Sequence, residues 1–262
     1  MHSEELIHPT AIVHPKASIS GGVAIGAYSV VGEHVTIGKD TKIGSHVLIE
    51  GWTTIGERNA IYPFSSIGTP PQDIGYKTTE ETYLIIGDDN IIRESATIHR
   101  ATTKEEKKTI IGNKNFLMAY AHVAHDCKVG NNIIMANAAT LGGHILIEDY
   151  AILGGIVAVH QFVKIGTHAL IGGHSAVVQD VPPYVSATGN RAKLYGLNHV
   201  GLRRKGFSEE AIKALKKAYK IIFRSGLTLE QALQEVREEL PDSPEVAHLV
   251  EFISVSKRGL TR

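Results

Sequence analysis

The sequence holds a single cysteine, Cys127, so no disulfide can form within the chain, and a lone thiol fits a reducing compartment. Neither sign of charge is in excess: 27 lysines and arginines balance 27 aspartates and glutamates, which argues against a broad nucleic-acid-binding surface. Long apolar runs are missing as well. The longest, Ala151 to Val159, is too short to span a bilayer. The opening residues, MHSEELIHPT, lack the basic-then-apolar order of a secretory leader. Tryptophan occurs once. With 43% hydrophobic and 21% charged residues over 262 positions, the chain is neither disordered nor a membrane bundle and can bury a sizeable core. A soluble cytoplasmic protein is expected. What the sequence does have is glycine, 26 of them, and histidine, 14 of them.

An internal repeat accounts for the glycines. Aliphatic residues fall every six positions from Ile7 through Val13, Ile19 and Ile25 to Ile67, resume at Ile86, Ile92 and Ile98, and run again from Ile111 to Val177. Glycine often follows the aliphatic residue (Gly26, Gly32, Gly38, Gly44, Gly56, Gly68), where the backbone is expected to bend, and a small or β-branched residue often stands fourth after it. A period of six fits neither an amphipathic helix nor a coiled coil. It fits short strands joined by tight turns. These hexads resemble the hexapeptide-repeat family, and the resemblance implies a mainly β fold, a left-handed parallel β-helix with three hexads per coil. Residues 18 apart then stack about 4.8 Å above one another.

Two polar insertions break the beat, at about residues 68–85 and 99–110, and the prolines at 182 and 183 are expected to end the solenoid. The remainder reads as helical. Ser208 is a candidate N-cap, Gly226 a terminator, Thr228 and Gln231 a capping box, and Ser243-Pro244 a further helix start. The division is thus a β-helix over 1–189 and a C-terminal α-helical domain over 190–262. The latter carries a basic cluster, Arg203-Arg204-Lys205, the natural counter-charge for a diphosphate or an acidic carrier protein.

Stacking the hexads that begin at 123, 141 and 159 yields columns of His125, Gly143 and Gln161, of Asp126, His144 and Phe162, and of Ala124, Gly142 and His160. These positions should face outward, with His122 at the preceding corner and Cys127 in a small core slot. An imidazole can take a proton from a hydroxyl near neutral pH, and a neighbouring carboxylate can orient it. Gly143 has no side chain to cover its N–H, which can face an oxyanion. A solvated histidine is the bland alternative for His125. His122, His125 and His144 or His160 also invite a zinc reading, which their His-x-x-His spacing disfavours. No metal and no cofactor are expected.

The segments HVAHDCKVGN, LGGH, AVHQF, QDVPPYV and GLRRKGFS are similar to those of the acyl-carrier-protein-dependent UDP-N-acetylglucosamine O-acyltransferases of lipid A biosynthesis, over essentially the whole chain. The resemblance implies His125 as general base, Asp126 as its acidic partner and Gly143 as oxyanion donor. It implies that His122, His144, His160 and Gln161 line the pocket, and that Gln72 and Asp73 contact substrate. It further implies that Asn198 and Arg204, beside Lys205, reach the nucleotide from a neighbouring subunit of a homotrimer. Gly173 is implied to set how far the acyl chain extends, with Arg191 nearby, in a strip that includes Gly154, Gly155 and Gly172. The expected partners are UDP-N-acetylglucosamine and a hydroxyacyl carrier protein. Gly75 and Val200 depart from the family pattern, which often has a lysine and an acidic residue there. A metal-dependent hydratase, a non-catalytic hexapeptide scaffold and an N-acylating relative are the competing classes.

Overall fold

The computed structural model describes residues 6–262, so the first half of the segment read for a leader lies outside the described residues. Each hexad forms one short strand, and successive strands enter three sheets in rotation. The first sheet starts at Ile12–Val13, the second at Ser18–Ile19 and the third at Ala24–Ile25. Pairing is parallel with an 18-residue register: Ile12 meets Val30, Ser18 meets Thr36 and Ala24 meets Lys42. The result is a three-sided prism, wound left-handed as the resemblance implied. Because strand side chains alternate, the aliphatic residue of each hexad points inward, and Ile37, Ile49, Ile67, Ile98, Leu117, Leu141 and Ile171 are fully buried. Each such side chain contributes about 1.5–3 kcal/mol.

The corners differ from expectation. The left-handed backbone conformation sits at the third residue after the aliphatic one and is mostly not glycine: Tyr28, His46, Phe64, His144 and Phe162 have φ of 57 to 66°. The glycine that follows the aliphatic residue serves close stacking instead. A Cβ on Gly38 would lie 2.5 Å from the carbonyl carbon of Gly56 in the next coil. The fourth position forms a buried polar column. Asn59, Asn90 and Asn115 each accept a backbone N–H from the next coil (2.9, 2.9 and 2.7 Å) and donate to a corner carbonyl. Cys127 fills the same slot, and burial pushes its thiol up to about 12, which makes it inert.

The first insertion lengthens the coil step from 18 to 31 residues (Ser66 meets Thr97), and the second gives 25 (Ile98 meets Val123). The prolines do not end the solenoid. Val185–Thr188 still joins the third sheet parallel to Leu170–Ile171, and only then does Lys193–Leu197 turn back antiparallel to it. Pro182 and Pro183 fit because they lie between strands, where no ladder donor is needed. Four helices follow: α1 (His199–Arg204), α2 (Glu209–Arg224), α3 (Leu229–Glu239) and α4 (Pro244–Ser254). Ser208, Thr228 with Gln231, and Ser243 cap the last three as their sequence signals predict, and Gly226 stands just past the end of α2 with φ of 80°. The basic cluster had no helix expected of it, yet it closes α1. No helix among the described residues is long and apolar enough to cross a membrane.

Candidate active site

His125 lies at the corner between the first and second sheets, between strands His122–Val123 and Lys128–Val129. The registers Val123–Leu141 and Leu141–Val159 place Gly143 and Gln161 successively above it, as the columns required. His125 Nδ1 donates to Asp126 Oδ2 at 2.8 Å, which leaves Nε2 bare to accept a proton. The ring lies over Gly143: a Cβ there would be 2.6 Å from Cε1. Only glycine fits against this imidazole. The Gly143 N–H donates to no group among the described residues and stays available to an oxyanion.

Asp126 corrects the expectation of an outward carboxylate. Its φ of 61° turns the side chain back under the second insertion, and only 3% of the residue is exposed. There Thr102 donates to it twice, from N at 3.1 Å and from Oγ1 at 2.7 Å. Burial alone would raise this carboxyl, but the hydrogen bonds from His125 and Thr102 outweigh it and hold it below the usual carboxylate range. Asp126 is therefore ionised at neutral pH and steadies a positive His125. His144 stacks on Phe162 at 4.5 Å and meets His125 edge-on at 5.2 Å. Its Nδ1 is buried 3.1 Å from Glu105 Oε1 but out of line for a hydrogen bond. The donor atoms of His125, Asp126 and His144 lie within 4.8 Å of one another, the spacing of a metal site as well as of a proton relay. Asp126 Oδ2 sits 2.8 Å from His125 Nδ1 and 3.8 Å from His144 Nε2, so it hydrogen-bonds only the first ring.

Residues 180–261 match the family model described as UDP-N-acetylglucosamine O-acyltransferase, domain 2, and residues 108–143 match the bacterial transferase hexapeptide model. The acyl-[acyl-carrier-protein]--UDP-N-acetylglucosamine O-acyltransferase of Thermodesulfovibrio yellowstonii is 57% identical over 256 residues, covering 98% of this chain and 99% of that protein. The chain belongs to the UDP-N-acetylglucosamine O-acyltransferase family. The enzyme of the same description from Syntrophobacter fumaroxidans is 52% identical over 98% of this chain and 99% of its own. The crystal structure of LpxA from Acinetobacter baumannii matches with a TM-score of 0.96 at 47% identity, covering 98% and 100% of the two chains.

In this acyltransferase the remaining expected residues divide among three corners. His122 joins the base; its Nδ1 is 2.7 Å from Thr97 Oγ1, and burial with the nearby His99 pulls it down to about 4, so it stays neutral. Asp73 pairs with Lys104 of the second insertion and accepts the Gly75 N–H at 2.8 Å. The hydrogen bonds from Lys104 and the Gly75 N–H hold its carboxyl low. Gln72 is exposed beside it. His160 and Gln161 are exposed two coils above Ala124 and His125. Asn198, Arg204 and Lys205 are not brought to the base. Asn198 caps α1 by accepting the Gly201 N–H and donates to His168 O, while Lys205 lies 4.8 Å above the Tyr150 ring, all at the corner between the second and third sheets. Gly173 is at the third corner. Two of the four strip glycines answer to packing, since a Cβ on Gly154 would lie 2.5 Å from Gly173 N and one on Gly172 2.5 Å from Thr188 Oγ1. Gly155 and Gly173 are less confined: a Cβ would lie 3.5 Å from Asn137 O on Gly155, an ordinary contact, and 3.2 Å from Gly155 O on Gly173, a tight one.

Sequence reasoning missed His99, Arg100 and Thr102. His99 Nδ1 donates to Pro70 O at 2.6 Å; Arg100, nearly buried, donates to Gly68 O at 2.6 Å and to the Tyr76 hydroxyl at 3.1 Å. Together they tie down both ends of the loop that carries Gln72 and Asp73. Stacking Ile98 on Val123 would have found His99, because that register sets it below Ala124.

Proposed function

We propose that this enzyme transfers an R-3-hydroxyacyl chain from acyl carrier protein to the 3-hydroxyl of UDP-N-acetylglucosamine, the first step of lipid A biosynthesis, in the cytoplasm. His125 Nε2 takes the hydroxyl proton as the sugar oxygen attacks the thioester carbonyl. Gly143 N–H receives the oxyanion, and collapse expels the carrier thiolate, which takes the proton back from the imidazolium. The observation that carries this reading is the geometry of the base: Nδ1 committed to an ionised, buried Asp126 and the ring lying on a glycine whose N–H is free. No metal is needed in this scheme. The relatives are named for these substrates, and identity of 57% over 98% of the chain supports the same donor and acceptor here.

The cleft is a property of a homotrimer. Base, basic cluster and glycine strip sit on three different corners of one prism, so a single chain assembles no complete site. Large apolar side chains also lie bare on the lone chain, among them Ile74 at the tip of the first insertion, Tyr120 and Phe64. A closed ring of three copies sets the base corner of one against the Arg204 and Lys205 corner of the next. The β-helix over 1–189 then supplies base and groove, and the helical domain over 190–262 the nucleotide contacts. Turnover with UDP-N-acetylglucosamine and a panel of hydroxyacyl carrier proteins tests the reading. Product carrying a 3-O-hydroxyacyl group is expected; no transfer to this sugar from any carrier would refute it.

A further inference from the structure

The last residues of the chain fold back across the top of the β-helix. Asp180, fully buried, is held there from both sides: its N–H donates to Gly259 O at 2.9 Å, its carbonyl accepts the Thr261 N–H at 2.8 Å, and its carboxylate accepts the Ser256 hydroxyl at 2.7 Å. Gly259, with φ of 79° and a Cβ position 2.9 Å from Gln179 Nε2, is where the tail turns. Arg258 is thus presented by a fixed backbone. Its Nε donates to Val178 O at 3.2 Å, which orients the guanidinium plane, and its Nη2 lies 2.7 Å from His160 Nδ1.

We propose that Arg258 is a positioning residue that fixes His160 as a neutral hydrogen-bond donor, with its one proton on Nε2. A guanidinium only donates and never loses its proton near neutral pH, so the nitrogen facing it must accept. The competing partner of Nδ1 is the Gln161 carbonyl, which demands the opposite tautomer, but it lies at 3.3 Å against 2.7 Å for the charged donor. The shorter, charge-assisted contact wins. Protonating His160 at Nδ1 would also set two donors face to face. His160 stands directly above Gly142, next to the oxyanion donor Gly143. Its Nε2–H therefore donates to an accepting oxygen of the substrate, and the carbonyl and the phosphates are the strongest acceptors there. It cannot take the proton of a hydroxyl as a base would. This role rests on the proposed placement of His160 in the cleft; the tautomer itself does not.

The test is nitrogen-15 NMR of the histidine-labelled full-length protein, with the His160 signals assigned by His160→Gln. The expected result at neutral pH is a protonated Nε2 and a bare Nδ1 in the wild type, lost in Arg258→Ala and retained in Arg258→Lys. Kinetically, Arg258→Ala should raise KM for one substrate about tenfold, the worth of one charge-assisted hydrogen bond, with kcat little changed. Whether that substrate is the sugar nucleotide or the carrier thioester separates a phosphate from a carbonyl as the partner. Arg258→Ala should add nothing to the defect of His160→Ala. A wild-type His160 protonated at Nδ1 overturns the proposal, and this holds even if the arginine variants fail to fold. Unchanged KM values in a folded Arg258→Ala alongside an impaired His160→Ala overturn it too. The expected tautomer with a fully active His160→Ala overturns the donor role and removes His160 from the cleft, leaving the His125 chemistry standing.

Discussion

At the residue scale, the division of labour between His125 and Asp126 is set by where each side chain is held. The His125 ring reaches the surface, whereas Asp126 is sealed under Thr102 and its carboxylate hydrogen-bonds the imidazole and Thr102. His125→Ala should therefore cut kcat by at least about a hundredfold, the scale of general-base catalysis, with no loss of thermal stability. Near-normal turnover would remove His125 from the mechanism. Thr102→Val deletes one of the hydrogen bonds that keep the Asp126 carboxyl ionised. A fall in kcat of about tenfold at unchanged KM is expected, and an unaffected rate would show that the Thr102 hydroxyl is dispensable. The sequence made His125 and Gly143 legible because both obey the 18-residue stack. It hid the burial of Asp126, because outward or inward is decided by a corner φ and by an insertion whose path no periodicity describes. Thr102 was hidden for the same reason.

At the element scale, the hexads, their columns and three of the four helix starts could be read directly, since each depends on local pattern. The steps of 31 and 25 residues across the insertions could not, because an unpatterned loop sets its own length. The glycine strip separates packing from function. Gly173→Met places about four heavy atoms in the proposed groove and displaces about 3 kcal/mol of chain binding at about 0.8 kcal/mol per methylene, so preference should move toward shorter acyl chains by on the order of a hundredfold. Gly154→Ala meets backbone at 2.5 Å and should instead lower the melting temperature while leaving the length preference alone. Equal relative rates across chain lengths in Gly173→Met would place the groove elsewhere. The docking of α4 offers a pH test. His248 Nε2 lies 2.8 Å from Glu148, and that contact raises the imidazole above its ordinary value despite partial burial. A raised folded-state value means stability that is complete below about pH 6.5 and fades as pH rises through it. The melting-temperature gap between wild type and His248→Gln should shrink from about pH 6 to about pH 9; a gap that widens contradicts the pairing.

At the scale of the whole molecule, the balanced charge of the sequence conceals a polarity that the fold uses. From Asn190 onward, 14 basic residues face 9 acidic ones, and the basic cluster is carried to a corner remote from the base. The sequence could name the residues proposed for the cleft but could not show that one prism keeps them apart, since that follows from the order of strands around three sheets. Activity should survive exhaustive chelation, because His125 with an ionised Asp126 on its Nδ1 can take the hydroxyl proton without a metal. Stoichiometric zinc whose removal abolishes turnover would reverse that. The central claim is that each cleft joins the His125 corner of one copy to the Arg204 and Lys205 corner of the next. It is tested most directly by co-refolding two defective chains, His125→Ala and the double variant Arg204→Ala with Lys205→Ala. Random mixing into trimers places an intact base opposite an intact basic corner in about a quarter of clefts. Recovery of about that fraction of wild-type turnover is the predicted result. A mixture no more active than the two variants refolded separately would contradict the shared cleft.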